Sequence, residues 1–201
     1  MIDDGPWAAV PGETPIDISG IKIPSVRNRG QLNIVEAKNI AKAVHKYLAG
    51  RINQRVAPFT FEWTLRLHKQ MFSDVWRWAG IVRTFETNIG SQAHLIREHL
   101  AHLLSDLKSW TEFQMPMDEQ AARLHHRAVQ IHPFENGNGR WARLLANVWL
   151  HRAGETYVEW PESAISEQHE VRREYLSAVR LADNGDYTPL ITLQRRYTIP
   201  K

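Results

Sequence analysis

Apolar positions recur at helical intervals through most of the chain after residue 30. Leu32, Val35, Ile40, Val44 and Leu48 form one stripe, which predicts a helix ending near Gly50. Leu65, Leu67, Met71, Phe72, Val75 and Trp76 form a second stripe within residues 60–78, stopped by Gly80. The texture then changes. Ile81, Val82, Thr84, Phe85, Thr87 and Ile89 are β-prone, and Asn88 and Gly90 suit a turn, so a short hairpin is predicted. Helical spacing returns at residues 95–110 with Leu100, Leu103, Leu104 and Leu107. It continues after Pro116, with Asp118 as candidate N-cap, through Leu124, Ala128, Val129 and Ile131. Another helix opens near Gly139 and carries Leu144, Leu145, Val148 and Leu150. A last helical region holds Val171, Tyr175, Leu176, Val179 and Leu181, and Pro189 marks the start of a tail helix. The expected fold class is all-α: six or more helices around one hairpin.

Before residue 30 the pattern is lost. Pro6, Pro11, Pro15 and Pro24 make an irregular arm, with one short strand expected at residues 21–23. A length of 201 residues fits one domain with a small appendage. We place the arm and first helix at residues 1–57 and the main domain at 58–197. Cysteine is absent, which removes disulfides, thiolate metal sites and a cysteine nucleophile. Lys and Arg number 25 against 22 Asp and Glu, a net charge of +3, too small an excess to argue for nucleic acid. Lys38, Lys42 and Lys46 read as a solvated helix face. No run of 18 apolar residues exists, so no membrane partner is expected. The opening residues lack the basic and apolar segments of a secretory signal, and a cytoplasmic protein is expected.

Residues 132–143 stand apart from this background. They read His132-Pro133-Phe134-Glu135-Asn136-Gly137-Asn138-Gly139-Arg140-Trp141-Ala142-Arg143 and join two apolar helices. A polar, Gly-rich loop at a helix start exposes backbone N–H groups at the positive end of the helix dipole, where phosphate binds well. Gly137 and Gly139 permit close approach of a ligand. Arg140 and Arg143 are three apart and share a helix face, so their guanidinium forks suit a polyphosphate. His132, at the end of the preceding helix, is placed to take a proton from an attacking hydroxyl. A base beside a phosphate cradle points to phosphoryl or nucleotidyl transfer; the alternative is a plain helix–loop–helix turn with solvated arginines. His125 and His132 lie two helical turns apart, too far to share one metal ion. His68, His94 and His151 read as surface or hydrogen-bonded core residues.

The segment resembles the Fic family signature, H-x-F-x-(D/E)-G-N-G-R-x-x-R. It matches at His132, Phe134, Gly137, Asn138, Gly139, Arg140 and Arg143, and Trp78-Ala79-Gly80 followed by Arg83-Thr84 looks like the family's entry to its flap. The resemblance implies a Fic fold, a helical bundle with a short β-hairpin flap. It implies a protein adenylyltransferase that moves AMP from ATP to a Ser, Thr or Tyr hydroxyl of a target protein. His132 would be the general base. Gly137, Asn138 and Gly139 would hold the phosphates, and Arg140 and Arg143 the phosphate chain. The flap residues Arg83, Thr84, Phe85, Glu86 and Thr87 would position the target by strand addition.

The family's acidic position, which holds Mg²⁺ or Mn²⁺, is Asn136 here. Three readings stay open. Asn136 binds the metal weakly, or Glu135 reaches it instead, or this branch works with less metal dependence, with another donor (UMP, phosphoryl or phosphocholine), or as a silent nucleotide-binding module. Many family members are restrained by a helix carrying (S/T)-x-x-x-E-(G/N), whose Glu pairs with the second motif Arg. Ser163/Glu167 and Ser166/Glu170 have the spacing but not the closing residue. No internal inhibitor is therefore expected, and an antitoxin-like inhibitor in trans becomes the alternative. The chain is also similar to small Fic proteins carried on mobile elements beside a helix-turn-helix partner.

Overall fold

The computed structural model describes residues 5–7, 17–166 and 170–199. Among them are eight α-helices: α1 (Arg29–Leu48), α2 (Phe61–Phe72), α3 (Ile96–Glu112), α4 (Met117–Ile131), α5 (Asn138–Arg152), α6 (Glu162–Ser166), α7 (Glu170–Asp183) and α8 (Thr188–Arg196). None of them is long and apolar enough to cross a membrane. Local chemistry sets several starts. The side chains of Asn28 and Thr60 accept from the N–H groups of Gln31 and Trp63, and Pro189 sits in the first turn of α8. Pro116, not Asp118, occupies the N-cap of α4. Asp118 instead accepts from the Glu119 N–H and pairs with Arg195.

The centre is the packed pair α4–α5, with α1 and α2 against α5, and α3, α7 and α8 against α4. Every residue from Trp141 to Leu150 is buried, so α5 is the axis of the core. The stripe on α1 differs from the expected one. Val44 is 37% exposed, while Glu36 and Asn39 are buried. Both polar groups have partners. Asn39 donates to the Gln70 carbonyl and accepts from the Asp74 N–H, which ties α1 to the end of α2. Glu36 accepts from the Trp76 indole at 2.6 Å.

Two local expectations are corrected. The helix expected over 60–78 ends at Phe72, and residues beyond it turn back so that Trp76 bridges Ile21. The bridge is also what remains of the expected strand at 21–23. The hairpin expected at residues 81–90 does not pair with itself among the described residues. Val82 bridges Phe134, and the Arg83 N–H donates to the Pro133 carbonyl at 3.0 Å. The flap spends its β-pairing on the loop after α4, because that loop offers free backbone groups and the flap's own turn does not align two strands. Of the prolines that mark the arm, Pro11 and Pro15 lie outside the described residues.

Candidate active site

His132 follows α4 in the left-handed region, with φ of 51°. A non-glycine residue there costs about 1–2 kcal/mol, so its surroundings must impose it. They do. The Arg83 Nε donates to the His132 carbonyl at 2.8 Å, and the Ser91 N–H donates to the Ile131 carbonyl at 3.1 Å. Gly90, itself at φ 101°, lies so close that a Cβ would stand 2.5 Å from the His132 Cβ. Arg83 is buried and spends its other nitrogens on the carbonyls of Phe85 and Ser91, which closes the flap on the His132 backbone.

His132 is 7% exposed, and neither ring nitrogen has a partner in full hydrogen-bond geometry, although the Val129 carbonyl lies close enough to favour the protonated ring and partly oppose burial. Burial, then the positive charge of Arg83, pull its pKa down to about 4. The imidazole is therefore neutral near pH 7 and has a free lone pair.

The loop below it is braced from inside. Phe134 is fully buried, stacked on the His68 ring at 3.6 Å and edge-on to Trp141 at 5.0 Å. Asn138 closes a two-way brace, its amide donating to the Phe134 carbonyl and its oxygen accepting from the Phe134 N–H. His68 accepts from the Gly80 N–H at Nδ1 and donates from Nε2 to the Asn136 carbonyl. These partners assign its proton to Nε2. Burial, opposed by the bond to Asn136, holds its pKa near 3. Gly137, at φ 78°, caps α5, and a Cβ there would stand 2.6 Å from the Phe72 ring. The first amides of α5 have no acceptor inside the helix, so its N-terminus has the donors and the dipole sign that suit an anion.

The two arginines on α5 do not converge. Arg140 donates to Glu36 of α1 at 2.8 Å and lies over the Phe72 ring. Arg143, with 5% of its side chain exposed, turns the other way. It donates from Nε to Glu162 of α6 at 2.8 Å, pairs through Nη2 with the same carboxylate, and reaches the Tyr175 hydroxyl at 3.4 Å. Each head carries a positive charge that a carboxylate of the chain now neutralises.

Residues 58–150 match the family model described as the Fic/DOC family. Those residues are a Fic/DOC domain. The chain is 36% identical over 117 residues to protein adenylyltransferase fic-1 of Caenorhabditis briggsae, covering 56% of this chain and 22% of that protein. It is 30% identical over 154 residues to protein adenylyltransferase Fic of Culex quinquefasciatus, covering 74% of this chain and 29% of that protein. The chain thus spans less than a third of the length of either relative. Two solved structures share the fold. BepC of Bartonella tribocorum, with bound AMPPNP, superposes with a TM-score of 0.68 at 20% identity, covering 95% of each chain. Fic-1 of C. elegans (residues 134–508) superposes with a TM-score of 0.66 at 24% identity, covering 90% of this chain and 52% of that one.

Within the Fic/DOC domain, the residues singled out from sequence fall into three groups. His132, Gly137 and Gly139 surround the start of α5, with Asn138 folded inward as the loop brace. Arg140 and Arg143 flank it with their heads turned to opposite sides. Thr84, Phe85 and Glu86 are exposed on the flap, with Thr87 half-buried, while Arg83 is buried beneath.

The donor set for Mg²⁺ or Mn²⁺ is poor. The Asn136 side-chain oxygen carries no formal charge and accepts from the Gly137 N–H at 2.6 Å. Burial, then the nearby Asp17 carboxylate, raise the pKa of Glu135 and so disfavour its charged form. Mg²⁺ prefers hard anionic oxygens in octahedral array. Asn136 and Glu135 do not fit a protein-held divalent site, and a cation arriving with a nucleotide would take its oxygens from phosphate and water.

Sequence reading has no signal for Glu36 or Glu162, and it offers Tyr175 only as a helix-stripe residue and His125 only as a metal ligand set aside on spacing. Of the restraint candidates it did scan, Glu167 lies outside the described residues and Glu170 opens α7 at the surface. Among the described residues, Glu162, four residues before Ser166 and outside the signature, reaches Arg143.

Proposed function

We propose that this chain transfers AMP from ATP to a Ser, Thr or Tyr hydroxyl of a protein target. The observation that carries the reading is the His132 imidazole, which is buried and neutral, with a ring nitrogen free to accept a proton, six residues before an amide-lined helix N-terminus. The names of the relatives and the AMPPNP bound in BepC support ATP as the donor.

In this reading the target lies along the exposed flap residues, paired as an added strand. The amides of Asn138 and Gly139 face the phosphates, and that of Gly137 joins them once it leaves the Asn136 side-chain oxygen. His132 accepts the hydroxyl proton while the hydroxyl oxygen attacks the α-phosphorus. The bond from the α-phosphorus to the bridging oxygen breaks, and pyrophosphate leaves with its electron pair. Arg140 and Arg143 stabilise that growing negative charge once they turn from Glu36 and Glu162. Metal ions, if recruited, come with the nucleotide. A restraining partner in trans would have to act on an Arg143 that Glu162 already holds.

The uncharged Asn136 favours one second reading, in which the same site takes another donor or binds nucleotide without transfer. ATP labelled at the α-phosphate separates them. Incubated with the protein and a cell lysate, it is expected to label a protein band in the wild type and not in His132→Ala, with excess unlabelled ATP competing better than CTP, GTP or UTP. Absence of label while ATP still binds would refute AMP transfer.

A further inference from the structure

Arg143 has a second anchor besides Glu162, and the two differ in kind. Arg143, Tyr175 and His125 come from α5, α7 and α4 and are 4%, 5% and 0% exposed. The Arg143 Nη1 lies 3.4 Å from the Tyr175 oxygen, which lies 3.0 Å from the His125 Nε2. The guanidinium carbon stands 5.5 Å from the Tyr175 ring centre, and the Tyr175 and His125 rings stack with 21° between their planes. Glu162, by contrast, has half of its side chain in solvent and sits on a helix of five residues.

We propose that Tyr175 and His125 are positioning residues for Arg143, holding its guanidinium through a directional hydrogen-bond relay that persists when Glu162 leaves. Counting protons defines its direction. A guanidinium only donates, so the Tyr175 oxygen accepts from Arg143. The Tyr175 oxygen could also accept from a His125 Nε2–H; the relay is the arrangement in which the single Tyr175 O–H donates to a bare Nε2 instead. In that arrangement His125 carries its proton on Nδ1, a nitrogen with no hydrogen-bond partner in the structure. Burial, then the Arg143 charge, keep His125 neutral, as an acceptor must be. Arg143 thus has one fixed hold and one releasable hold. Release of Glu162 frees two N–H groups for a phosphate while the ring and hydroxyl of Tyr175 keep the head from swinging away. This inference rests on the reading of Arg143 as a phosphate-binding residue.

Two measurements test it separately. The nitrogen-15 spectrum of the native protein reads the His125 tautomer directly. The Nδ1–H form is expected, and an Nε2–H form would overturn the relay. Affinity for ATP and steady-state kinetics are then compared in a Glu162→Ala background, where the relay is the remaining hold. Adding Tyr175→Phe is expected to weaken ATP binding about ten-fold or more, the loss of one hydrogen bond to a charged group, and to raise KM for ATP with a smaller change in kcat. His125→Gln, whose amide oxygen can accept from Tyr175, should retain most of the affinity, and His125→Phe should not. Arg143→Ala is the control. If it leaves ATP binding unchanged, the phosphate role of Arg143 fails. If it weakens binding while Tyr175→Phe does not, the relay fails.

Discussion

Glu162→Ala should make the protein less stable and a better nucleotide binder at once. The perturbation removes both acceptors of a bidentate pair, from Arg143 Nε at 2.8 Å and from Nη2. A hydrogen bond to a charged group is worth about 1.5–3 kcal/mol when buried, whereas exposed ion pairs contribute about 0–1 kcal/mol. Arg143 is nearly buried but Glu162 has half of its side chain in solvent, which places the pair between those limits, at about 1–2 kcal/mol. Without ligand, the variant loses that much stability and melts about 2–8 °C lower. ATP must break the pair in the wild type and not in the variant, so its affinity should rise by about 5- to 30-fold. Thermal melts with and without ATP, and titration calorimetry, measure both sides of this cycle. The gap in melting temperature should narrow as ATP is added, because ligand binding restores what the carboxylate supplied. A variant that melts lower and binds ATP no better would refute the competition and leave Glu162 a purely structural partner of Arg143.

Three further outcomes follow from the site. His68, His125 and His132 all have depressed pKa values in the fold, near 3, well below 6.5 and near 4. The unfolded chain binds these protons first, so stability is full above about pH 6.5 and falls as pH drops towards the folded values, at up to about 4 kcal/mol per pH unit between roughly pH 5.5 and 4. Urea midpoints across that range check it, and a flat profile would contradict burial of the three rings. Arg83→Gln removes the charge that helps depress His132, so the acid limb of the pH–rate profile should move to higher pH; a shift to lower pH would contradict that role. Gly137→Ala forces a Cβ against Phe72 at φ 78° and should cost about 1–3 kcal/mol with loss of ATP binding, seen together in melts and calorimetry.

The parts of this structure that sequence discloses are those whose cause is local. Helical periodicity placed α3, α4, α5 and α7, and one contiguous segment supplied both the candidate base and the candidate anion site. The hairpin was misread because β-propensity at residues 81–89 says that an extended segment needs a partner, not which one. Val82 finds Phe134, and the flap becomes a strap over His132 rather than a free ribbon. On α1, Glu36 lies on the buried face, where helical spacing of apolar residues gives no reason to look for a carboxylate. Its partners, Trp76 and Arg140, lie 40 and 104 positions away.

The same reasoning explains why the arginines were legible and their occupants were not. Arg140 and Arg143 are three apart, and spacing alone puts them on one helix face. What decides their behaviour is that α1 brings Glu36 to one and α6 brings Glu162 to the other. Both carboxylates stand in for phosphate charge, so the ligand-free site is already electrostatically balanced. The two substitutes are unequal. Glu36 is 8% exposed and also holds the Trp76 indole, so withdrawing it strands a buried carboxylate and a buried donor, while Glu162 can swing into water. Entry of a polyphosphate should therefore open the Arg143 side first, with Arg140 following only as its head swings off Glu36 over the Phe72 ring. Glu36→Gln and Glu162→Ala consequently predict different signatures. The first should cost stability that ATP does not restore, and the second should cost stability that ATP does restore. A matched pair of melts with and without ATP distinguishes them, and equal recovery in both variants would mean that the two carboxylates are equivalent and the order of opening is wrong.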